Sequence, residues 1–453
     1  MKKAITFCIL TGAILLAVFL GGGIQSTKET PIEQPFDVRK FGAKGDGKTD
    51  DSLSFNKAID AAANAQGGEV YIPSGTYILQ PIFLKSNVHL IGEDKDLVTL
   101  KLADSADDQQ MTRLVNLEGV QNIRIQNLTF DGNYAKHQNG VEHMHTLFLW
   151  NSTNIVIENN RMQHAVGDGL SITGSKKASR NITVSNNFFL DNHRSNLVVE
   201  QANQVYIYNN HSKSTIGRPA IHFEPWEETT FQEARIHHNL FETNANEAYA
   251  IQIEGTPGEG NYYRDLQFYE NEVIAPHGKF MIKETKNAQI YDNKLSIKEL
   301  YVWFKNDALK VYDNTMETEN GILMEGYLGT SIQSVFKNNT IHTKKNGVTV
   351  KSSAEDTTFI GNTFTGTGKE YAAYLWATEK SISNTVFEKN TFTNFKVGIA
   401  TDTYEDHLVD GLTLIENHFE KIKKQPVYAL KESSRHVKLE ENTFVQTGDV
   451  FIE

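Results

Sequence analysis

Residues 155–162 read IVIENNRM, and the same pattern returns as ITVSNNFF at 182–189 and as VYIYNNHS at 205–212. Each segment alternates apolar and polar residues before it reaches an asparagine, and a period of two is typical of a short β-strand. Successive copies of this asparagine lie about 21 to 33 residues apart, which is the range of stacked structural repeats. The recurring asparagines are Asn127, Asn160, Asn187, Asn210, Asn239, Asn271, Asn293, Asn314, Asn339, Asn362, Asn390, Asn417 and Asn442.

Such short strands cannot bury their apolar side chains alone, whereas coils stacked on one another enclose a continuous apolar core. Because no helical period separates the strands, the sequence predicts an all-β chain folded as a right-handed, single-stranded parallel β-helix. Asparagine suits the bends because it tolerates a left-handed backbone and forms hydrogen bonds along a stack of its own kind. A propeller or a sandwich is the alternative, but its repeats would be more uniform in length and richer in Asn-Gly turns.

The segment before the repeats carries a different signal. Phe36–Asp51 reads FDVRKFGAKGDGKTDD and is followed by a helical stretch at 52–65 and by GGEVYIPSGTYIL at 67–79. This segment closely resembles the entry segment of the pectate-lyase superfamily, which includes β-helix lyases, polygalacturonase-like hydrolases and alginate epimerases. The resemblance implies a β-helix whose N-terminal end, which would otherwise expose edge strands, is capped by a helix. The predicted apolar stripe of that helix consists of Leu53, Ala58, Ile59 and Ala62.

The beginning of the chain predicts export. Two lysines precede an apolar run at 4–20, as in a signal peptide or, if it is not cleaved, a membrane anchor. The expected location is therefore secreted or at the cell surface. We expect a signal peptide or anchor at 1–25, a linker at 26–34 and a β-helix domain at 35–453, with an N-terminal cap segment at 35–80.

Composition limits the classes of partner and cofactor. The chain has 453 residues and a formal net charge of −12, so it lacks the basic surface that a nucleic-acid partner requires. Its one cysteine, Cys8, lies in the export segment, so the mature chain has neither a disulfide nor a thiolate metal site. We expect no organic cofactor, no membrane partner beyond the export segment, and a monomer.

Outward-facing side chains of stacked coils form columns, because alternate residues of a strand point to the same face. On this rule Glu200, Glu224 and Glu254 stack on neighbouring coils. Stacked carboxylates repel one another, so they must take up protons, hold a cation such as Ca²⁺, or turn apart. The alternative is a solvated ladder neutralised by Lys283 and Lys305.

The register of these columns is itself a prediction. The outer column is predicted to contain Trp150, Thr173, Glu200, Glu224, Glu254, Lys283, Lys305, Glu325 and Lys351. The middle column beside it is predicted to contain Phe148, Ser171, Val198, His222, Gln252, Met281, Trp303, Leu323 and Thr349. Among the aromatic residues nearby, Trp150, Trp226 and Trp303 offer flat faces on which sugar rings can stack, or they cover the wall of the helix.

A second group of residues lies near the acidic column. Asp168 stands at the mouth of a strand, and the next coils supply His193, Arg194, Arg218 and His222. This set partly resembles polygalacturonases, and the resemblance implies that Asp168 is a catalytic acid. The chain departs from that family at Gly169, where a second acid is expected, and at 192–194, where Asn-His-Arg replaces Gly-His-Gly.

Two further segments are predicted to be structural. The loop that contains His137, His143 and His145 is predicted to lie on the surface, although these histidines are also placed to contact a substrate or a metal ion. The apolar residues at the C-terminus are predicted to cover the open end of the β-helix. They are Phe444, Val450, Phe451 and Ile452.

These observations favour a secreted enzyme that cleaves an extracellular polysaccharide, most simply a lyase acting on uronate residues. A glycoside hydrolase of polygalacturonase-like type, a C5-epimerase and a non-catalytic glycan-binding or adhesion protein remain alternatives. The candidate catalytic residues are Asp168, Glu200, Glu224, Glu254, Lys283 and Arg194, with Glu200, Glu224 and Glu254 as possible Ca²⁺ ligands. The candidate substrate-binding residues are His193, Arg218, His222, Trp226, Gln252, Trp150 and Trp303.

Overall fold

A computed structural model describes residues 36–226, 231–255, 262–326, 329–352 and 354–453. The predicted export segment and linker at 1–34 lie outside the described residues, so both stay predictions. Within the described ranges, no helix combines the length and the apolar character that crossing a bilayer would need.

Three ladders of parallel strands, here called sheets A, B and C, run along the chain and stack coil upon coil. Sheet A carries the outer and middle columns described above. Its strands are Ile82–Phe83, Val115–Glu118, Leu147–Trp150, Leu170–Thr173, Leu197–Val199, Ile221–Phe223, Tyr249–Glu254, Glu272–Lys286, Lys294–Asp307, Ile322–Glu325, Val348–Lys351, Tyr371–Ala377, Val397–Thr403, Val427–Ala429 and Phe451–Ile452.

Sheets B and C complete each coil, and the two long strands Glu272–Lys286 and Lys294–Asp307 continue from one sheet into the next. Sheet B contains Phe36–Asp37, Gly68–Ile72, Val88–Gly92, Gln121–Gln126, Thr153–Glu158, Ser179–Ser185, Ala202–Tyr208, Phe231–His237, Tyr263–Tyr269, Gln289–Tyr291, Lys310–Tyr312, Val335–Lys337, Thr358–Ile360, Val386–Glu388, Thr413–Ile415 and Lys438–Glu440. Sheet C contains Asp46–Asp50, Gly75–Leu79, Val98–Leu102, Thr129–Asp131, Arg161–Gln163, Phe188–Leu190, His211–Ser214, Leu240–Thr243, Thr315–Thr318, Thr340–Thr343, Thr363–Thr365, Thr391–Thr393, His418–Ile422 and Thr443–Thr447.

The later coils add a fourth, short ladder: Ser331–Ile332, Ala354–Glu355, Ile382–Ser383, Val409–Asp410 and Ser434–Arg435. The inward side chains of all these strands form one continuous apolar core, in which phenylalanines stack from coil to coil. The parallel β-helix predicted from the sequence is therefore confirmed.

The helical elements are a 3₁₀ turn at Val38–Phe41 and an α-helix at Ser52–Asn64. The α-helix packs on the strands of the first coils through Phe55, Ala58, Ile59 and Ala62. Leu53, which was expected in this apolar stripe, is 66% exposed, and Phe55 fills the core instead. The helix has the predicted position, and its role as a cap stays a prediction.

At the other end of the chain, the last strands leave Phe444, Val450, Phe451 and Ile452 exposed. Their predicted role, to cover the end of the β-helix, stays a prediction. Phe444 and Phe451 stack on Phe419 and Tyr428 of the preceding coil, but their opposite faces have no further coil to pack against among the described residues.

The recurring asparagines form a buried ladder that begins at Asn160. The side-chain oxygen of each accepts the backbone N–H of the ladder residue one coil earlier at 2.9–3.1 Å. Asn127 is not part of this ladder. The side-chain oxygen of Asn160 accepts the backbone N–H of Leu128, so Leu128 holds the ladder position on that coil and Asn127 lies one residue before it. The left-handed backbone of the bend belongs to the residue before the ladder asparagine, such as Asn159 or Asn186, and not to the ladder asparagine itself.

Replacing Asn314 with alanine is expected to lower the free energy of unfolding by about 2–4 kcal/mol, because it leaves buried polar groups of two coils without partners. Asn314 accepts the N–H of Asn293 and donates to the carbonyl of Ile290. Urea denaturation of the variant measures this loss. Asn203→Ala, which removes one exposed bond to the N–H of Gln232, is the control and should cost less than about 1 kcal/mol. Equal losses of unfolding free energy in the two variants would contradict a special contribution of the buried asparagine ladder to stability.

The predicted columns of sheet A are confirmed from Trp150 to Lys283 and again from Glu325 to Lys351, and they differ from the prediction on the coil between these two parts. Gln252 pairs with Met281, and Glu254 pairs with Lys283. On the next coil Met281 pairs with Tyr301, and Lys283 pairs with Trp303. Trp303 therefore belongs to the outer column, and Lys305 to neither column. A shift of two residues keeps the same side chains facing outward, so alternation alone does not detect it.

Candidate functional site

A groove of about 370 Å³ lies over sheet A where the strands Leu147–Trp150 and Leu170–Thr173 pair. These strands place Phe148, Trp150, Ser171 and Thr173 on its floor. Chain segments that leave the coils add its cationic, acidic and aromatic sides, formed by Met111, Arg113, His143, His145, Arg194, Glu200, Glu224 and Trp226.

Arg194 links two acids of the predicted site. Its guanidinium donates to Oδ2 of Asp168 at 2.9 Å and to Oε2 of Glu224 on the following coil. Burial alone would lower the pKa of Arg194, but the two carboxylates outweigh it and raise that pKa above its usual range. Arg194 is thus held as a permanent cation, which fits a binding role and removes it as a general base.

Asp168 is completely buried beneath the groove. Burial raises its pKa to about 8, although the neighbouring Arg194 acts in the opposite direction. Its Oδ1 atom has no hydrogen-bond partner among the described residues. At neutral pH this side chain therefore carries a proton for most of the time.

The position after Asp168 explains why a second acid is absent there. A β-carbon at Gly169 would lie 2.6 Å from the Asn192 side chain and 2.7 Å from the carbonyl oxygen of Asn196. Asn192 itself is buried and accepts the N–H of Ala165. Only glycine fits between these groups, so the paired acids of the resemblance cannot be accommodated in this chain.

His145 contacts Asp168 directly. Its Nδ1 accepts the backbone N–H of Asp168 at 2.9 Å and lies 3.2 Å from Oδ2 of the same residue. Burial and the nearby cations Arg113 and Arg194 lower the pKa of His145 well below its usual value. The neutral ring therefore carries its proton on Nε2, because Nδ1 is used as an acceptor.

The prediction that the histidine loop is a surface loop is therefore wrong for two of its members. His145 is buried under the groove, and His137 is buried against Asp108, whose carboxylate lies 2.5 Å from its Nδ1. His143 is half-exposed and lines the groove with its ring against that of His145. The alternative, that these side chains reach a substrate groove, is the better description of His143 and His145.

The wall of the groove is aromatic. Trp150 and Trp226 stack with their ring centroids 6.2 Å apart, and Trp226 is 51% exposed. Trp226 also donates its indole N–H to Oε2 of Glu200 at 3.0 Å. The guanidinium of Arg113 lies 3.5 Å from the centroid of the Phe148 ring. Flat rings beside a cation offer both a stacking face for a sugar and a partner for a carboxylate.

A second cluster follows one coil later. Lys283 forms an ion pair with Glu254, and Gln252 donates to the same carboxylate. His222 lies between the two clusters, 3.7 Å from Glu224 and 3.9 Å from Glu254. Burial, together with the cations Arg194 and Lys283, lowers the pKa of His222 to about 3, so this ring is neutral.

The three stacked glutamates do not form a cation site. Glu224 is bound by Arg194, Glu254 by Lys283, and Glu200 by the indole of Trp226. Two of the three carboxylates thus already carry a protein cation, whose charge would repel Ca²⁺ at the same oxygens. No group of three or more His, Cys, Asp or Glu residues in the described ranges is arranged to hold a metal ion. The residues proposed as ligands do not fit Ca²⁺, and the glutamates have turned apart to separate partners.

Five of the seven predicted substrate-binding residues do not line the groove: His193, Arg218, His222, Gln252 and Trp303. The His193 ring stacks on Tyr134, with ring centroids 3.2 Å apart, although its neighbour in sequence, Arg194, points into the groove. Arg218 is exposed, and within the described ranges its guanidinium forms no ion pair. Trp303 lies several coils beyond the groove, as the corrected register requires.

Sequence reasoning missed Arg113 as a site residue. It precedes the strand Val115–Glu118, and nothing in its local pattern distinguishes it from an ordinary surface arginine. The one signal in the sequence was the position of Arg113, two residues before a strand of sheet A.

Family models support this description of the fold. A model for rhamnogalacturonase A/epimerase, pectate lyase-like, matches residues 36–116, which is the segment that carried the resemblance. A model for the right handed beta helix region matches 113–295, and a model for the periplasmic copper-binding protein NosD matches 261–450.

Curated relatives match the chain over limited lengths. Alginate lyase 7 of Azotobacter vinelandii is 37% identical over 124 residues, which are 25% of this chain and 14% of that protein. Mannuronan C5-epimerase AlgE2 of the same organism is 39% identical over 109 residues, or 22% of this chain and 11% of that protein. Plasmin and fibronectin-binding protein A of Streptococcus pneumoniae is 23% identical over 432 residues, covering 75% of this chain and 58% of that protein.

Solved structures share the fold at low sequence identity. The A-module of Azotobacter vinelandii mannuronan C-5 epimerase AlgE4 has a TM-score of 0.51 and 18% identity, covering 92% of this chain and 99% of that module. The Pseudomonas phage phi297 tailspike gp61 has a TM-score of 0.53 and 11% identity, covering 88% of this chain and 81% of the tailspike. The strand ladders and these structural matches show that the chain folds as a right-handed parallel β-helix. The family models and the partial matches to an alginate lyase and an epimerase support its membership of the pectate-lyase-like superfamily.

Proposed function

We propose that the chain is an extracellular or surface-located enzyme that acts on a uronate-containing polysaccharide and cleaves it by β-elimination. The observation that carries the proposal is the groove in which Arg194 is fixed between Asp168 and Glu224, beside the stacked indoles of Trp150 and Trp226. Similarity to an alginate lyase and to a mannuronan C5-epimerase supports a uronate polymer as the class of substrate.

Elimination begins with neutralisation of the uronate carboxylate, which makes the proton on the neighbouring carbon easier to remove. Arg113 suits this task, because it lines the groove over Phe148 and forms no ion pair within the described ranges. Arg194 supplies a second positive charge, although it is shared with Asp168 and Glu224. The stacked tryptophans orient the sugar ring between the two cations.

Glu224 is the best placed base in this groove. Burial raises its pKa even though Arg194 opposes the shift, and a carboxylate with a raised pKa accepts a proton more readily at neutral pH. It would take the proton from C5 of the uronate, and the electron pair left behind would form the C4–C5 double bond. Lys283 is less suitable as a base, because it is bound to Glu254 one coil away.

The departing oxygen on C4 needs a proton, and the pair of His145 and Asp168 can provide it. The Nε2–H of His145 would protonate that oxygen, while Nδ1 releases the backbone N–H of Asp168 and takes up the carboxyl proton of the same residue, whose Oδ2 lies 3.2 Å away. Asp168 then remains as a carboxylate beside Arg194, and His145 is neutral again. The relay requires no ionised imidazole at any stage, which suits the lowered pKa of His145.

The function is tested by incubating the purified chain with polygalacturonate, alginate, glycosaminoglycans and neutral glycans, each with Ca²⁺ or with EDTA. Near-ultraviolet absorbance follows the unsaturated uronate, and a reducing-end assay follows chain breaks. We expect both signals to rise together on a uronate polymer. Reducing ends without absorbance would replace the lyase with a hydrolase. A change in sugar configuration by NMR without chain breaks would replace it with an epimerase.

Replacing Glu224 with glutamine is expected to lower turnover by about 10²–10⁴-fold, because the amide has nearly the same size but cannot take up the C5 proton. Initial rates on the polymer identified above measure the loss, and substrate binding should change little. Glu242→Gln, at a glutamate that pairs with His211 on sheet C, is the matched control. Full activity of the Glu224 variant would remove it as the base.

A second candidate function is that of a non-catalytic adhesion protein, which would bind a glycan or a protein with the same face of sheet A. The observation that favours it is the alignment with plasmin and fibronectin-binding protein A, which covers 75% of this chain. It predicts saturable binding with no product on any glycan. The substrate incubation separates the two candidates, since an adhesion protein would leave every polymer unchanged.

A further inference from the structure

The outer column continues past the groove with a repeat of three residue types. Successive coils carry Glu254, Lys283 and Trp303, and the next three carry Glu325, Lys351 and Trp376 in direct register. Coils rise by about 4.8 Å, so the two Glu-Lys-Trp units repeat every 14 Å or so along the axis. We call these six residues the distal track.

The two units share contacts as well as residue types. The ammonium of Lys283 lies 5.3 Å from the ring centroid of Trp303, and that of Lys351 lies 5.9 Å from that of Trp376. Each lysine also forms an ion pair with the glutamate one coil before it. Each unit thus combines the flat ring of a tryptophan with a hydrogen-bond donor, the lysine ammonium, that is paired with an acceptor, the glutamate carboxylate.

Tyrosines of the middle column complete both units. Tyr301 precedes Trp303 by two residues and donates its hydroxyl to Glu325 at 2.8 Å, and Tyr374 precedes Trp376 by two residues and donates to Asp402 at 2.5 Å. The rings of Tyr301 and Trp303 stack 5.7 Å apart. Burial of Tyr301 and its bond to Glu325 raise its pKa, so the hydroxyl keeps its proton.

This chemistry differs from that of the groove. In the groove Arg113 has no ion-pair partner within the described ranges, whereas each lysine of the distal track is neutralised by its own glutamate. A neutral unit attracts charged ligands weakly, but it offers hydrogen-bond donors and acceptors next to a flat ring. Sugar hydroxyls and the C–H faces of sugar rings match that combination, and carboxylates do not need to be recognised there.

We propose that the distal track is a second glycan-binding surface, which holds the part of the polysaccharide that extends beyond the groove. The track starts at Glu254, one coil after Glu224, so one chain laid along the axis reaches both. It binds through sugar hydroxyls and ring faces, whereas the groove binds through the uronate carboxylate. This inference rests on the proposed function for the identity of the polymer.

The test is affinity electrophoresis of the full chain in gels that contain long alginate or long polygalacturonate. Trp303→Ala and Trp376→Ala should each weaken retention by about tenfold, and the double variant should weaken it further, as loss of stacking contacts requires. Tyr312→Ala is the matched control, because Tyr312 lies on sheet B of the coil that contains Trp303. Trp303→Phe and Trp376→Phe keep an aromatic face and should retain most of the binding, and thermal melts confirm that each variant is folded.

Two further readouts separate the track from the groove. Oligosaccharides short enough to fill only the groove should bind the tryptophan variants and the unaltered chain equally. The ratio of retention between the unaltered chain and the double variant should stay constant as salt rises, because the charges of the track are already paired. A ratio that falls with salt would show recognition of carboxylates and overturn the hydroxyl assignment.

Failure of the distal-track proposal and failure of the proposed function would give different results. If both tryptophan variants are retained as strongly as Tyr312→Ala, while Glu224→Gln abolishes turnover, the distal track is wrong and the proposed function stands. If the unaltered chain is retained by neither polymer and alters neither, both proposals fall. Concentration-dependent self-association that the tryptophan variants lose would assign the surface to a second copy of the chain and would overturn the glycan assignment.

Discussion

Replacing Arg194 with alanine is expected to lower turnover of a uronate polymer by about 10³-fold or more, since a preorganised cation at the reacting centre is lost. Among the residues that the structure describes, Arg194 is the one that forms ion pairs with both Asp168 and Glu224, so its removal changes the proton donor and the base together. Buried Asp168 loses its cation and holds its proton more firmly, and Glu224 loses the partner that positions it. Initial rates at substrate saturation measure the effect.

Two variants make this expectation specific. Arg194→Lys keeps the charge but cannot donate to two carboxylates in the planar geometry of a guanidinium, so we expect only partial recovery. Arg218→Ala removes an exposed arginine that the sequence nominated for substrate binding and that the structure leaves outside the groove, so its rate should equal that of the unaltered chain. A large loss in Arg218→Ala, or a small one in Arg194→Ala, would contradict the position of the site.

The second large effect concerns pH. The pKa of Asp168 is raised by burial from 3.8 to about 8 in the folded state, so between these values the folded chain keeps a proton that the unfolded chain releases. Folding stability must therefore fall as pH rises through this window. Asp168→Asn cannot ionise and should remove this part of the pH dependence, so that the variant gains several kcal/mol relative to the unaltered chain between pH 4 and pH 8.

Urea denaturation of both proteins across the window measures this difference. His222, whose lowered pKa acts in the opposite direction at acid pH, is present in both proteins and cancels in the comparison. If the unfolding free energies of the two proteins depend on pH in the same way, Asp168 is ionised in the folded chain and holds no proton that it could donate. In the same variant, turnover should fall and lose its decline above about pH 8, because asparagine supplies no proton to His145.

The sequence alone predicts the fold because the repeated bends and alternating strands are local. The ladder asparagines mark almost every coil, and the short strands between them define the faces. The position of the α-helix is also local and is found at Ser52–Asn64. The misassignment of Asn127 arises from the Asn-Asn pairs of the early coils, which make the ladder position and the bend position look alike.

The columns of sheet A were predictable only while the coils kept similar strand patterns. His222 pairs with Gln252 as predicted, and the same register places Glu224 next to Glu254. The register was predictable because each of these two strands has one clear pair of inward-facing apolar residues. At Leu300–Phe304 all five residues are apolar or aromatic, so two registers satisfy the alternation. Inter-strand packing selects the one that buries Leu300 and Val302.

The groove itself depends on contacts that no local pattern contains. His145 and Asp168 meet across 23 residues, and Arg194 and Glu224 meet across 30. The acidic column suggested protonation, a bound cation such as Ca²⁺ or rotation of the side chains, with neutralisation by Lys283 and Lys305 as the alternative. Lys283, the next member of the column, pairs with Glu254 as that alternative expected. Arg194 and Trp226 approach from other segments and bind Glu224 and Glu200.

The most direct test of the groove is the product formed from a uronate polymer by the full chain, the Glu224→Gln variant and the Arg194→Ala variant in parallel. The account predicts unsaturated uronate ends with the unaltered chain, in the presence of EDTA as well as Ca²⁺, and a loss of at least about 10²-fold in both variants. Unsaturated ends formed at equal rates by all three proteins would contradict it, because the chemistry would then lie elsewhere on the β-helix.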